Sequence, residues 1–255
     1  MVDSVSLGIC IPSHKNYKLK NCLDKIVPVF REFSLPIFIS DNDDSVTSGF
    51  DIASYNYEYI QYEKNKNNIG ADRNMIKVIG MAKTDYVFWL GDDDAFTRET
   101  ICQVYKTIQM TGVGIDLLLI GFADSAKYSE WNDVTRFYLE YEPNPIYFGN
   151  IVLRKNSAFL DFDIERYDGT LHAYYGYILE MLLKKNPCKI IVDERIRMIR
   201  GISNKSWKGI FKVMLFCVPK FYKTLPEPFH KYHRKMFMKR IFYYAKKILR
   251  GEGNN

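Results

Sequence analysis

The stretch Tyr86-Val87-Phe88-Trp89-Leu90-Gly91-Asp92-Asp93-Asp94 joins five apolar residues to a glycine and three consecutive acids. A short apolar run that stops at a turn residue predicts a buried strand. The carboxylates at its end repel one another, since two unit charges about 4 Å apart cost roughly 4 kcal/mol at the effective dielectric of a protein surface. A divalent cation turns that repulsion into attraction. Hard cations such as Mg2+ and Mn2+ are commonly held by one or two carboxylates together with the phosphates of a substrate. The competing reading is a solvated acidic turn capping a helix that starts near Thr97, because Asp favours turns and helix starts. The run by itself leaves both open.

Working outward, Ser6 to Ile11 predicts a strand that stops at the breaker cluster Pro12-Ser13-His14-Lys15-Asn16. Tyr17 to Phe33 reads as a helix, with Leu19, Cys22, Leu23, Ile26, Val27 and Phe30 at helical spacing. Pro36 to Ser40 is a second strand, ended by Asp41-Asn42-Asp43-Asp44, and Tyr59 to Tyr62 a third. The polar loop Asn65-Lys66-Asn67-Asn68-Ile69-Gly70 leads into a helix over Ala71 to Met81. A helix over Arg98 to Met110 and a strand over Ile115 to Ile120 follow the acidic run. Strands alternating with helices predict a mostly parallel, doubly wound α/β sheet. Right-handed crossovers then bring the loops at 12–16, 41–44 and 91–94 to one edge, where open sheets bind their ligands.

The second half is less regular. Asp124 to Pro145 shows no clear period and predicts a long functional loop over the substrate. Ile146 to Phe148 and Ile151 to Arg154 read as short strands, Thr170 to Lys185 as a helix, and Cys188 to Val192 and Arg195 to Ile199 as two further strands.

With 255 residues, 47% of them apolar, the chain has ample material for a core, which excludes disorder of the whole. Five scattered cysteines without a CxxC pair predict a reduced, intracellular chain with no cysteine zinc site. No basic region precedes an apolar run at the N-terminus, so no signal peptide is expected, and no apolar stretch approaches the roughly 20 residues that span a bilayer. The net charge of +6 conceals an asymmetry: Trp207 to Arg250 holds 12 Lys or Arg and one acid, Glu227, or 12 − 1 = +11, whereas residues 1–206 hold 24 bases and 28 acids, or −4. A mildly acidic body over 1–206 therefore carries a strongly basic, aromatic end over 207–255.

The order of these motifs (IPS and ISDN strand ends, then NNIGADRN, then WLGDDD) resembles glycosyltransferase family 2. The resemblance covers Val5 to Asp94 well and extends loosely to Trp207. It implies a GT-A fold: a Rossmann-like, mostly parallel central sheet flanked by helices, here with a basic C-terminal helical extension. It also implies an inverting transfer from a nucleotide-sugar donor, with a UDP-sugar the first expectation, to a glycan or lipid-linked acceptor in bacterial surface polysaccharide assembly. Pro12, Ser13 and His14 match the strand end beside the nucleotide, where His14 departs from the family's usual aromatic. Asp41 matches the acid that recognises base or ribose. Asn68, Gly70, Arg73 and Asn74 match a shortened form of the family's loop-and-helix element, in which Gly70 allows close backbone approach and Arg73 offers a fork to phosphate. Asp92 and Asp93, with Asp94 beside them, match the acids that hold Mn2+ or Mg2+ against the donor diphosphate, and Asp92 also lies by the nucleotide.

Inversion needs a base for the acceptor hydroxyl. Asp168, ahead of the helix expected near Thr170, is the candidate, and His172 is the alternative. Arg195, Arg197 and Arg200 are placed to meet a diphosphate or to stand solvated, and Trp207 to stack on a sugar or to pack in the core. The basic end interleaves cations with aromatics and is divided by Pro219, Pro226 and Pro228 into two helical pieces. That pattern predicts association with an anionic membrane surface, peripheral on the cytoplasmic face of the cell membrane. Two rival functions remain at this stage. A nucleic-acid-binding protein would use the basic end but leaves the three acids without a role, so no nucleic-acid partner is expected. A metal-dependent nucleotidyl-transfer enzyme would read Gly91-Asp92-Asp93 as a polymerase-like motif, but the upstream strand order fits a nucleotide-sugar fold better.

Overall fold

The computed structural model describes residues 5–43, 50–110, 114–121, 127–141, 149–155, 161–199 and 213–249. The first half forms as its periodicity dictates: β1 (Leu7–Ser13), α1 (Asn16–Phe33), β2 (Ile37–Asp41), β3 (Ile60–Lys64), α2 (Ala71–Met81), β4 (Tyr86–Trp89), α3 (Arg98–Met110) and β5 (Leu117–Gly121). β6 (Tyr128–Trp131), α4 (Val134–Tyr141), β7 (Ile151–Arg154), the single turn α5 (Ile164–Tyr167), α6 (Ala173–Lys184) and β8 (Ile190–Arg197) follow. A π-helical turn, Val213–Cys217, leads into α7 (Val218–Thr224), and α8 (His233–Leu249) ends the described chain.

Among the described residues the eight strands form one sheet in the order β3-β2-β1-β4-β7-β5-β8-β6. β3, β2, β1 and β4 are parallel to one another, as are β5 and β8, while β7 runs antiparallel between β4 and β5 and β6 antiparallel at the edge. Alternate strand residues feed two cores. Ile9, Ile11, Ile37, Ile39, Phe88, Leu118 and Ile191 face α1 and α3. Cys10, Phe38, Val87, Trp89, Leu119, Ile151 and Val192 face α2, α4, α6 and the C-terminal helices. The buried Trp89 indole is satisfied, its Nε1 donating to Met75 O at 3.2 Å.

Three expectations are corrected. Asp124 to Pro145 is not a bare loop. Its described residues include β6, an edge strand whose alternating exposure leaves little hydrophobic signal, and α4, which buries Val134, Phe137, Tyr138 and Tyr141 at one-face helical spacing. The two strands expected over 188–199 are one, because Asp193 and Glu194 do not break it: a register shift at Ile120/Gly121 lets β8 pass, and a Cβ on Gly121 would sit 2.5 Å from Glu194 O. The helix expected from Thr170 starts at Ala173, behind a turn in which Leu171 has φ 58°. The strand expected over 146–148, together with Asp44, Arg200 and Trp207, lies outside the described residues.

The basic end is not a separate layer. Phe221, Tyr222, Phe229 and Met236 belong to the same apolar core as Trp89, with Phe221 5.3 Å from the His172 ring and Tyr138 5.0 Å from Phe229, centroid to centroid. No helix among the described residues is long and apolar enough to cross a membrane.

Candidate active site

The parallel registers place the ends of β1, β2 and β3 level: Ser13 pairs with Asp41, and Asp41 with Lys64. β4 joins them, Leu90 N donating to Cys10 O at 3.0 Å. The acidic turn is drawn to the β1 end, where Asp92 Oδ2 accepts from His14 N at 3.1 Å and from Ser13 Oγ at 3.4 Å. Burial, helped by the neighbouring Asp93 charge, raises the Asp92 pKa above the usual carboxylate value, although the backbone N–H groups of His14 and Lys15 and the charge of Lys18 pull it down. Asp93 instead forms an ion pair with Lys18 Nζ at 3.0 Å. Asp94 is buried, turned under Gly91 and Gly149, where a Cβ on either glycine would collide with its Oδ2.

The three acids thus point in three directions, as consecutive residues of a tight turn must. Among the described residues no three His, Cys, Asp or Glu side chains gather as a ready cation cage. The expectation placed the cation on Asp92 and Asp93 with Asp94 beside them, and a pair of carboxylates does not require a preformed cage of three. One or two of these carboxylates at a strand end still fit a hard cation that takes its remaining oxygens from a diphosphate.

Behind the acids an asparagine network, which the sequence did not reveal, locks the edge. Asn74, buried in α2, donates through Nδ2 to Ser13 O and Ser40 O at 3.0 and 3.1 Å and accepts from Ser40 Oγ at 2.6 Å. Asn65 Nδ2 donates to Asn42 Oδ1 at 2.8 Å, and Asn42 Nδ2 to Gly70 O at 3.1 Å. Asp41 is fully buried and accepts from Tyr62 OH at 2.6 Å and Asp43 N at 2.8 Å. Asp43 in turn accepts from Asn16 N, the first residue of α1, at 2.8 Å. Asn68 meets His14, Nδ2 to Nδ1, at 3.5 Å, which brings the loop over the β1 end. Gly70 is required by conformation, not by crowding: its φ of 85° and ψ of 161° suit glycine alone, and a Cβ there would meet open space.

The candidate base lies beside α2. Arg73 Nε donates to Asp168 Oδ2 at 3.0 Å and its Nη2 to Glu165 Oε2 at 2.5 Å, so the guanidinium expected to meet phosphate is turned to two acids. Asp168 follows α5, five residues ahead of α6, and is not the cap of that helix. His172 is buried, its Nδ1 2.8 Å from Thr170 O and its Nε2 3.3 Å from Arg240 Nη2. A carbonyl accepts and a guanidinium donates, so Nδ1 carries the proton and the basic Nε2 is already engaged. In this arrangement the His172 Nε2 lone pair faces Arg240. Arg195 is spent as well, with both arms 2.7 Å from the Asp193 carboxylate.

Asp72 is the functional residue most hidden in the sequence. It looks like an ordinary first-turn acid of α2, yet its buried carboxylate accepts from Leu171 N at 2.8 Å and Ala173 N at 3.0 Å, tying down the turn that carries Asp168. Asp72→Ala is expected to cost about 1–3 kcal/mol by leaving two N–H groups without an acceptor. Burial raises the Asp72 pKa despite those bonds, so the native state takes up its proton at a higher pH than the unfolded chain. The stability Asp72 contributes is therefore greatest below the ordinary carboxylate pKa, and the gap between wild type and variant shrinks as pH rises through the raised value. Thermal melts of both proteins across mildly acidic pH measure it; a gap that widens with pH contradicts the assignment.

An open sheet with its acids, its asparagine-locked loop and its helix N-terminus at one carboxyl edge has the Rossmann-like arrangement in which α/β sheets bind their ligands. The chain belongs to glycosyl transferase family 2: residues 9–166 match the model of that family. Abequosyltransferase RfbV of Salmonella typhimurium is 30% identical over 110 residues, which are 40% of this chain and 33% of that relative, so the likeness spans a third of its length. Among solved structures, S. aureus TarS 1-349 superposes with a TM-score of 0.58 at 10% identity, covering 98% of this chain and 93% of that one. The mannosyltransferase PcManGT of Pyrobaculum calidifontis, in complex with GDP-Man and Mn2+, gives 0.59 at 10%, covering 98% and 76%. A TarS complex with UDP-GlcNAc gives 0.60 at 13%, covering 94% and 73%. The fold is GT-A.

Proposed function

We propose that the chain is an inverting glycosyltransferase that moves a sugar from a nucleoside-diphosphate sugar to a hydroxyl of a glycan or lipid-linked acceptor, in bacterial surface polysaccharide assembly. The observation that carries the reading is the meeting of His14, Asp92 and the Asn68–Gly70 loop at the ends of β1 and β4, in a chain of this family. Support also comes from the nucleotide sugars and Mn2+ bound by structures of the same fold, and from the sugar-transferring relative.

In this reading Pro12, Ser13 and His14 form the wall beside the base, and Asp41, fully buried and accepting from Tyr62 OH and Asp43 N, braces the β2 end of the nucleoside site from below. Asn68 and Gly70 shape the loop over the donor. Asp92 and Asp93 would hold Mn2+ or Mg2+ together with the diphosphate, and Asp94 would orient them. The cation, when bound, supplies Lewis-acid stabilisation of charge on the departing nucleotide. Asp168 takes the acceptor proton as the acceptor oxygen bonds to the anomeric carbon. The bond from that carbon to the diphosphate oxygen breaks on the opposite face, and the nucleoside diphosphate leaves with the electron pair.

A thermal-shift panel of nucleotide sugars with Mn2+ tests the reading, since a ligand at a hundred times its Kd stabilises by about 2.7 kcal/mol. A UDP-sugar is expected to raise the midpoint, and chelation to abolish both the shift and sugar transfer. No response to any nucleotide sugar overturns the assignment.

A further inference from the structure

The C-terminal helix α8 has two faces of different kinds. Met236 and Arg240 are buried and dock the helix, whereas Arg234, Lys235, Met238, Phe242 and Lys246 are all exposed. At 3.6 residues per turn those five occupy an arc of about 120° on the side away from the docked pair. Met238 is 47% and Phe242 67% exposed, and α8 contains no acid. The preceding π-helical turn adds Leu215 at 61% and Phe216 at 69%. Solvent alone gives no reason to hold large apolar side chains out among cations; an interfacial layer of anionic headgroups over acyl chains does.

We propose that the outward stripe of α8 docks on an anionic lipid surface, its cations meeting headgroups while Met238 and Phe242 enter the boundary with the acyl chains. The docked side of the same segment faces the candidate base: Arg240 reaches His172, and Lys220 Nζ donates to Asp168 O at 2.5 Å. The lipid-facing helix is thus braced against the turn that receives the acceptor. In this respect the inference rests on the proposed transfer to a lipid-linked acceptor, although docking itself does not. A nucleic acid would match the charge but leave Met238 and Phe242 unburied, since phosphate contacts are polar.

Co-sedimentation of the full chain with vesicles of phosphatidylglycerol and phosphatidylcholine, against phosphatidylcholine alone, tests the proposal. Binding is expected to the anionic vesicles only, about five-fold weaker for Arg234→Gln or Lys235→Gln and about ten-fold or more weaker for Phe242→Asp. These side chains are exposed, so the nucleotide-sugar thermal shift stays as in wild type. Equal binding to neutral vesicles, no binding, or wild-type binding by Phe242→Asp overturns the proposal. So does displacement from vesicles by duplex DNA that binds Phe242→Asp as well as wild type. Vesicle binding without any donor shift would leave docking standing and remove the transferase reading; the reverse result would do the opposite.

Discussion

Under the proposed mechanism Asp92→Asn is expected to lower turnover by about a thousand-fold, because a cation held there would supply several kcal/mol to the transition state and each 1.36 kcal/mol is a factor of ten. The amide still accepts from His14 N, so the β1 end keeps its shape while the charge is lost. Asp93→Asn follows in size, since it removes the second proposed ligand carboxylate and the charge that pairs with Lys18. Asp94→Asn has a smaller effect, because that buried side chain lies under Gly91 and Gly149. Turnover at saturating donor and calorimetric titration of Mn2+ check the order. Wild-type Mn2+ affinity in Asp92→Asn would show that the acids form only a capped turn.

Asp168→Asn is expected to reduce transfer by about 10² to 10⁴, the span of general-base contributions. Asparagine keeps a hydrogen bond from Arg73 and so preserves the clamp, but it cannot take the acceptor proton. Donor binding, read by the same thermal shift, stays at the wild-type level, which separates a lost base from a collapsed site. His172→Gln serves as the contrast: with its basic nitrogen already on Arg240, its loss lowers stability more than turnover. If Asp168→Asn retains turnover and His172→Gln does not, the roles are reversed and the geometry around His172 has been misjudged.

Much of the frame was legible because its signals are local. Tyr86 to Leu90, Ala71 to Met81 and Arg98 to Met110 follow from apolar periodicity and from the glycines and acids that stop it, and the observed bounds lie within a residue of those expected. β6 and α4 were missed for opposite reasons. An edge strand such as Tyr128–Trp131 buries too little to show a pattern, while the helical spacing of Val134, Phe137, Tyr138 and Tyr141 was masked by the polar residues around it. At the site, the acids and Gly70 announce themselves by residue type and place. The roles of Asn42, Asn65, Asn74 and Asp72 do not, because an amide or a first-turn acid looks the same whether it meets water or a strand end far away in the chain. The partners of Arg73 and Arg195 are tertiary facts for the same reason: charge is visible in a sequence, but what neutralises it is not.

The position of β8 bears on how the chain is made. β5 emerges early, yet Leu117 pairs with Ile190, and among the described residues β6 has no sheet neighbour but β8. Phe221, Phe229 and Met236 then complete the core that contains Trp89. During synthesis, the half of the sheet that begins at β5 waits unpaired at one edge while the chain runs on well past the family-matched region, which ends at 166. Such a delay exposes strand edges to association with other chains. A ribosome that stalls before the C-terminal helices would release a fragment bearing the acids of the site but unable to close its own core.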